Sequence, residues 1–486
     1  MAAGRLSTSG AGGPLALSES ALARLDARIE DAERLARRLG VPAFASVTVP
    51  VSAGIDPSAT VMAARAGAER FFCMEQPGHD GYAVCGVGEA IALTRSGSDR
   101  FTGTAADCRR VAARVIADDP AGDPGRPSGA GPVFSGGFAF DPHGGATPEW
   151  AGFEPAQLVL PELSIARKGS EARLTVTVAV QPAEGGADDA LARVRRRLEG
   201  LRPASMPLLD PSPVARSRVS GAASPSHYEE AVRRAVSRIA AGDMQKVVLA
   251  REVRVQTGHE VDPAPVLDAL RAGFPDCYCY CAGGPGGTLV GASPELLVRR
   301  DGARAQTVAL AGTARRSADP AVDDHLGEQL LQSDKNRGEQ SIVAQSIERT
   351  LEPVSVWVAA AERPVLIKVL NVQHLATPIR AQLARPVSAV ELAGRLHPTP
   401  AVGAEPRPAE AMIPALEGLD RGWYAGAVGW TDLSEDGEFC VALRCALLRG
   451  RVAHLYAGCG IVADSVPADE LAESEVKLQA LLPLLA

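Results

Sequence analysis

The sequence predicts an α+β fold. Three features carry that reading: long strand-like runs bounded by Gly and Pro, helical patterns interspersed among them, and no GxGxxG turn of the kind that marks a doubly wound sheet. Residues 1–20 are small and polar, with helix signals only at their end, and read as a mobile tail. Over residues 20–39, Leu22, Leu25, Ile29, Ala32, Leu35 and Ala36 fall at helical spacing, and Gly40 supplies the stop. From 41 to 195 the runs FASVTV, RFFCME, YAVCGVG, FSGGFAFD, AQLVLPEL and RLTVTVAV read as strands, with a Pro/Gly loop over 118–132.

Residues 202–226 hold five prolines among small residues and mark either a linker or an ordered crossover. Ser226-x-x-Glu229 reads as a capping box for a helix whose apolar stripe (Tyr228, Ala231, Val232, Ala235, Val236, Ile239) ends near Gly242. A strand follows over 245–255, then CYCYCAG, TLVGAS, ELLVRRDG and RAQTVALAG, and a long helix over about 323–350. WYAGAVGWTD, EFCVALRCALL and VAHLYAGCGIV read as strands before a last helix over 468–484. No internal repeat is visible.

The 486 residues suit two or three domains of ordinary size. A content of 46% hydrophobic and 22% charged residues excludes disordered, collagen-like and coiled-coil chains. No apolar run approaches the ~18 residues of a membrane span, and the first residues lack a secretory pattern. A cytoplasmic protein without membrane contact is expected. The net charge of −8, with arginines scattered beside acids, argues against a nucleic-acid partner. Nine cysteines without a CxxC pair read as reduced thiols.

Several residues are candidates for chemistry. Glu470, Glu473 and Lys477 fall at i, i+3 and i+7 of the last helix, on one face. That face suits a hard cation with an anionic ligand, and equally a solvated, salt-bridged stripe. Asn336 and Glu339 share a helix face in the same way. Lys246 alternates with Val248 and Ala250 on one strand face; it reads as a candidate base or, more blandly, as a strand-end lysine reaching solvent. Glu295 follows Ser293-Pro294 at a strand entry and is either a general acid of raised pKa or an exposed turn acid. Glycines in LAGTARR and YAGCGIV let a ligand carboxylate approach the backbone. Arg444 stands alone in an apolar strand and requires an anion, from protein or substrate. Cys277, Cys279 and Cys281 share a strand face and read as buried small hydrophobes.

Together, KVVLAR (246–251), GASPELLVR (291–299), LAGTARR (310–316), SDKNRGEQ (333–340), HLATP (374–378), LHPTPAVG (396–403), DRGWYAGAVGWTD (420–432), ALRCALL (442–448) and AGCGIVADSVPADELAESEVK (457–477) resemble the chorismate-utilising enzymes. That family includes isochorismate synthase, salicylate synthase and the first components of anthranilate and aminodeoxychorismate synthases. FFCMEQPGHDGYAVCGVGEA (71–90) and FSGGFAFDP (134–142) extend the resemblance to the N-terminal part. It implies one catalytic domain over 21–486: an N-terminal part (21–201), a crossover (202–226) and a C-terminal part (227–486) carrying most of the active site. The implied fold is two pseudo-symmetric halves of large antiparallel sheet flanked by helices.

Within the family, Lys246 stands where ammonia-using members have Gln, and marks members that activate water. Ala311 stands where aminodeoxychorismate synthases often carry a nucleophilic Lys. HPTPAV, with Ala401 in place of Thr, resembles the isochorismate synthases. The resemblance thus implies Mg²⁺-dependent isomerisation of chorismate to isochorismate, a precursor of menaquinone and siderophores. In that scheme Lys246 activates water for attack at C2 and Glu295 protonates the departing C4 hydroxyl. Glu339 and Glu473 hold Mg²⁺, with Glu470 assisting through water. Arg444, Lys477 and the backbone near Gly312, Gly458 and Gly460 hold carboxylates, while Thr313, His374, Ala401 and Tyr424 line the pocket. A monomer without an obligate partner subunit is expected. Asn336, Gln340 and Cys459 depart from the family pattern, standing for an acid, a His and an Ala. The alternatives are a salicylate synthase, releasing salicylate and pyruvate, and a non-catalytic chorismate-binding homologue.

Overall fold

In the computed structural model, which describes residues 13–119, 123, 125–183, 185–210, 217–370 and 372–486, the strand-like runs assemble into two sheets. The larger, of 13 strands, has the order Arg218–Gly221, Lys246–Gln256, Val452–Ile461, Cys445–Arg449, Gly287–Ser293, Tyr278–Gly284, Phe71–Gln76, Tyr82–Val87, Leu163–Lys168, Glu171–Val180, Ala43–Val51, Val115–Ile116, with Ala404–Glu405 beside Lys246–Gln256. The smaller, of 10 strands, has the order Ser355–Ala360, Val372–Leu383, Arg304–Arg315, Leu296–Asp301, Gly437–Val441, Ala427–Asp432, Val133–Phe138, Ala156–Leu160, Ile91–Arg95, with Val365–Lys368 beside Val372–Leu383. The one parallel pairing among the described residues joins Ala43–Val51 to Val115–Ile116. The order is palindromic about the Tyr278–Gly284/Phe71–Gln76 and Ala427–Asp432/Val133–Phe138 contacts. The expected α+β fold with pseudo-symmetric halves is present, and each sheet draws on both halves of the chain.

Period-two alternation sorts side chains into two cores. Tyr278 and Tyr280 enter the core between the sheets, whereas Cys279 and Cys281 enter a second core under the helices Glu19–Leu39 and Pro263–Gly273. The nine cysteines are all buried and free, as the composition suggested. Two hydrogen bonds tie the sheets together: Trp430 Nε1 donates to Tyr82 Oη (2.9 Å), and Tyr278 Oη donates to Glu438 (2.6 Å). Helices Arg100–Ala112, Asp334–Leu351 and Ala389–Leu396 pack on the smaller sheet.

Several elements differ from the sequence reading, each for a local reason. Leu15 and Leu17 are buried and Ser18 caps Glu19–Leu39, so residues 13–18 pack against the domain instead of forming a tail. Residues 1–12 of that tail, 120–122 and 124 of the Pro/Gly loop, and 211–216 of the expected linker lie outside the described residues. The end of the linker is the edge strand Arg218–Gly221. Helix Pro225–Ala240 is capped by Ser224, not Ser226, because Pro225 takes the first helical turn. The long helix breaks at Ser333 into Pro320–Gln332 and Asp334–Leu351: Ser333 is extended and its hydroxyl accepts from the Asn336 N–H. The last helix stops at Leu478, and Pro483 opens a separate turn, Leu482–Leu485. EFCVALRCALL divides between the two sheets, with the chain turning at Arg444.

A buried ion pair braces the strand that begins at Lys246. Arg421 Nε donates to Glu417 (3.0 Å); Glu417 accepts from the Ala250 N–H (2.6 Å), and Arg421 donates to the carbonyls of Val248 (2.9 Å) and Val402 (2.8 Å). Removing the guanidinium strands a buried carboxylate. Arg421→Ala is expected to lower stability by about 3–5 kcal/mol in urea unfolding, whereas Arg421→Ala combined with Glu417→Leu is expected to lose less than the single change.

Candidate active site

Two neighbouring strands leave one sheet for the other at the same level. Gly287–Ser293 of the larger sheet continues into Leu296–Asp301 of the smaller, and Gly437–Val441 of the smaller continues into Cys445–Arg449 of the larger. Glu295 and Arg444 sit at these passages. Arg444 adopts φ +48°, a left-handed conformation that a non-glycine residue rarely holds. The seam opens into a cleft of about 830 Å³, counting space open to solvent. Glu295, Gly312, Thr313, Glu339, His374, Ala401, Tyr424, Arg444, Gly458, Gly460, Glu470, Glu473 and Lys477 all line it.

Lys246 lies directly beneath this lining. It is 1% exposed, and its Nζ is 2.8 Å from Glu339 Oε1. The solvent-reaching reading therefore fails: the side chain runs past Gly460 to the Glu339 carboxylate of Asp334–Leu351. Gly460 leaves room for this pair: a Cβ there would fall 2.9 Å from Lys246 Cε and closer still to the Glu339 carboxylate. Glu295 is 3% exposed rather than a surface turn acid. Burial raises its carboxyl to about 8, with Lys246 and Arg444 opposing the shift. At neutral pH it holds a proton.

Gly312 forms a bulge at φ +75°, where the register with Val372–Leu383 shifts between Ala311 and Thr313. A Cβ there would meet the Asn336 side chain at 3.1 Å. The bulge turns Thr313 and the Gly312 carbonyl toward His374. Arg444 Nη2 donates to His374 Nε2 (3.2 Å), so Nδ1 carries the proton and faces the Gly312 carbonyl (3.3 Å) and Thr313 Oγ1 (3.1 Å). Burial, then Arg444 and Lys477, push the His374 pKa far down, and the ring is neutral. Lys477 Nζ donates to the Gly458 carbonyl (2.8 Å) and pairs with Glu473 (2.7 Å). Tyr424 stacks on Tyr456, with centroids 5.1 Å apart.

Glu470 and Glu473 converge with Cys459: one ligand atom from each lies within 4.8 Å of the others. Cys459 donates to the Glu470 backbone carbonyl (3.3 Å), and burial pushes its thiol up, so it stays protonated. The donor set is then carboxylate oxygen, which fits a hard divalent cation. Glu339 lines the same cleft but is engaged by Lys246 and is not one of those three. Burial and the neighbouring Glu473 raise the Glu470 carboxyl. Burial works the same way on Glu473, but Lys477, Lys335 and Arg444 outweigh it and hold that carboxyl low.

The sequence reading passed over Lys335, whose Nζ is 3.3 Å from Glu470. Its i, i+4 spacing to Glu339 was the available signal. Of the departures, Gln340 is buried and donates to the Ala309 carbonyl and Thr377 Oγ1 (2.9 Å each), holding its helix to the sheet. Asn336 donates to Ser333 Oγ (2.8 Å) at the helix start.

Comparison with known proteins shows the family and the fold. The chorismate binding enzyme family matches residues 29–486. The salicylate biosynthesis isochorismate synthase of Pseudomonas aeruginosa is 37% identical over 399 residues, covering 81% of each chain. The isochorismate synthase MenF of Bacillus subtilis is 36% identical, covering 74% of this chain and 75% of its own. Among solved structures, the menaquinone-specific isochorismate synthase MenF from Escherichia coli superimposes with a TM-score of 0.76 at 26% identity, covering 95% of this chain and 100% of its own.

The His374 assignment is directly checkable. In nitrogen-15 NMR of histidine-labelled protein, one imidazole should stay neutral with Nδ1 protonated from pH 5 to 8. Titration in that range of the imidazole signal that disappears in His374→Gln would contradict the arrangement around Arg444.

Proposed function

This chain belongs to the chorismate-binding enzyme family, and we propose that it isomerises chorismate to isochorismate. The observation that carries the proposal is a buried, protonated Glu295 lining a cleft with cations fit for a dianion, and a buried Lys246 just beneath that lining, on Glu339. Water is a poor nucleophile and hydroxide a poor leaving group, so moving a hydroxyl from C4 to C2 requires both a base and an acid. Lys246, charged against Glu339 in the resting cleft, must first give up its own proton to solvent; as the neutral amine it then accepts a proton from a water molecule whose oxygen attacks C2. The ring double bonds shift, and the C4 hydroxyl departs as water with the proton of Glu295. One water enters and one leaves.

Arg444, steadied by His374, and Lys477 face the substrate carboxylates, joined by the backbone opened at Gly312 and Gly458. Glu470 and Glu473, with Glu339 nearby, would hold Mg²⁺, which when bound supplies positive charge for a substrate carboxylate. Thr313, Ala401 and Tyr424 complete the wall. Among the described residues no helix is long and apolar enough to cross a membrane. The same proposal takes the enzyme as a cytoplasmic monomer with no obligate partner.

Incubation with chorismate and Mg²⁺ should yield isochorismate, and chelation should stop turnover until Mg²⁺ is restored. Salicylate with pyruvate in its place would mark a salicylate synthase, and no product a binding homologue. Lys246→Ala and Glu295→Gln should each lower kcat by about 10²–10⁴-fold. Glu295 is active when protonated, so kcat/KM should fall as pH rises through about 8; a flat profile from 7 to 9 would remove it as the acid.

A further inference from the structure

Each carboxylate of the proposed metal set is paired with a lysine: Glu339 with Lys246 (2.8 Å), Glu473 with Lys477 (2.7 Å) and Glu470 with Lys335 (3.3 Å). We propose that Lys335 is a displaceable counter-ion, holding Glu470 until a divalent cation takes its place. The inference rests on reading this cleft as a metal site.

The three lysines differ in their freedom to leave. Lys246 is 1% exposed and packed against Gly460. Lys477 is 10% exposed and also anchored to the Gly458 carbonyl. Lys335 is 40% exposed, lies in the first turn of Asp334–Leu351, and among the described residues makes its hydrogen bond to Glu470. Its long side chain can swing into water without disturbing the backbone.

The charges show why a movable cation belongs there. Glu470 is buried beside Glu473, and two such carboxylates repel unless cations face them. With three lysines on three carboxylates the cleft is balanced before any metal arrives, and Arg444 adds one more positive charge. An incoming dication would sit among four cationic side chains. Release of Lys335 relieves that crowding with the least loss, because a half-exposed ion pair is worth little. Lys335 therefore keeps the metal-free site intact and lowers its apparent affinity for the metal.

The test is Mn²⁺ binding to the full chain, read from the electron paramagnetic resonance of free Mn²⁺ with no chorismate present. Lys335→Met should bind Mn²⁺ about 3–5-fold more tightly, the size expected for a half-exposed pair. Lys335→Arg keeps the charge and should stay near the parent. In a Glu470→Gln background, Lys335→Met should bring a clearly smaller gain, because only its longer-range effect on Glu473 is then removed. A merely structural lysine would give weaker binding on truncation. Unchanged or weaker binding in Lys335→Met, or an equal gain without Glu470, overturns the proposal. Absence of Mn²⁺ binding by the parent chain overturns the metal reading, and the proposal with it.

Discussion

The cleft depends on one constraint: two adjacent strands change sheets at the same level. Gly287–Ser293 pairs with Cys445–Arg449 in one sheet, and their continuations Leu296–Asp301 and Gly437–Val441 pair in the other. At the passage the ladder is interrupted, so side chains there no longer alternate between two filled cores. Single backbone bonds hold it closed: Ala292 N–H to the Arg444 carbonyl (3.1 Å) and Val441 N–H to the Glu295 carbonyl (3.0 Å). Glu295 and Arg444 are thereby aimed into the gap between the sheets. Burial there makes Glu295 an acid, and the left-handed turn at Arg444 brings its guanidinium to His374.

The palindromic order repeats this seam in the N-terminal half. There Tyr82–Val87 passes to Ile91–Arg95, and Ala156–Leu160 to Leu163–Lys168. That seam also has a buried acid, Glu162, but Arg193 and Arg197 of the helix Asp188–Gly200 both bond it at 3.0 Å. Two guanidiniums thus occupy that carboxylate. One topology produces a seam that opens into the cleft and a seam whose acid is tied down by two arginines.

Local charge also explains how an acidic chain suits an anionic substrate. Net charge averages over a surface far wider than the Debye length of about 8 Å. Inside the cleft, Arg444, Lys477 and Lys335 set the potential, and a bound cation would add to it. The overall charge of −8 carries no information about that sign.

Periodicity and spacing by themselves determined the alternation of Tyr278 and Tyr280 against Cys279 and Cys281, the shared face of Glu470, Glu473 and Lys477, and the order of motifs that marks the family. These are properties of one strand, one helix or one string of residues, so they are legible locally. Tertiary structure alone decided that Lys246 is buried, because its side-chain neighbours Glu339 and Gly460 come from far along the chain. It alone turned Glu295 from a surface acid into a protonated one, split the long helix at Ser333, and put Lys335 on Glu470. Spacing sets the face on which a side chain lies. Burial and distance depend on what distant segments bring to that face, and the pKa of Glu295 and the pairing of each carboxylate follow from them.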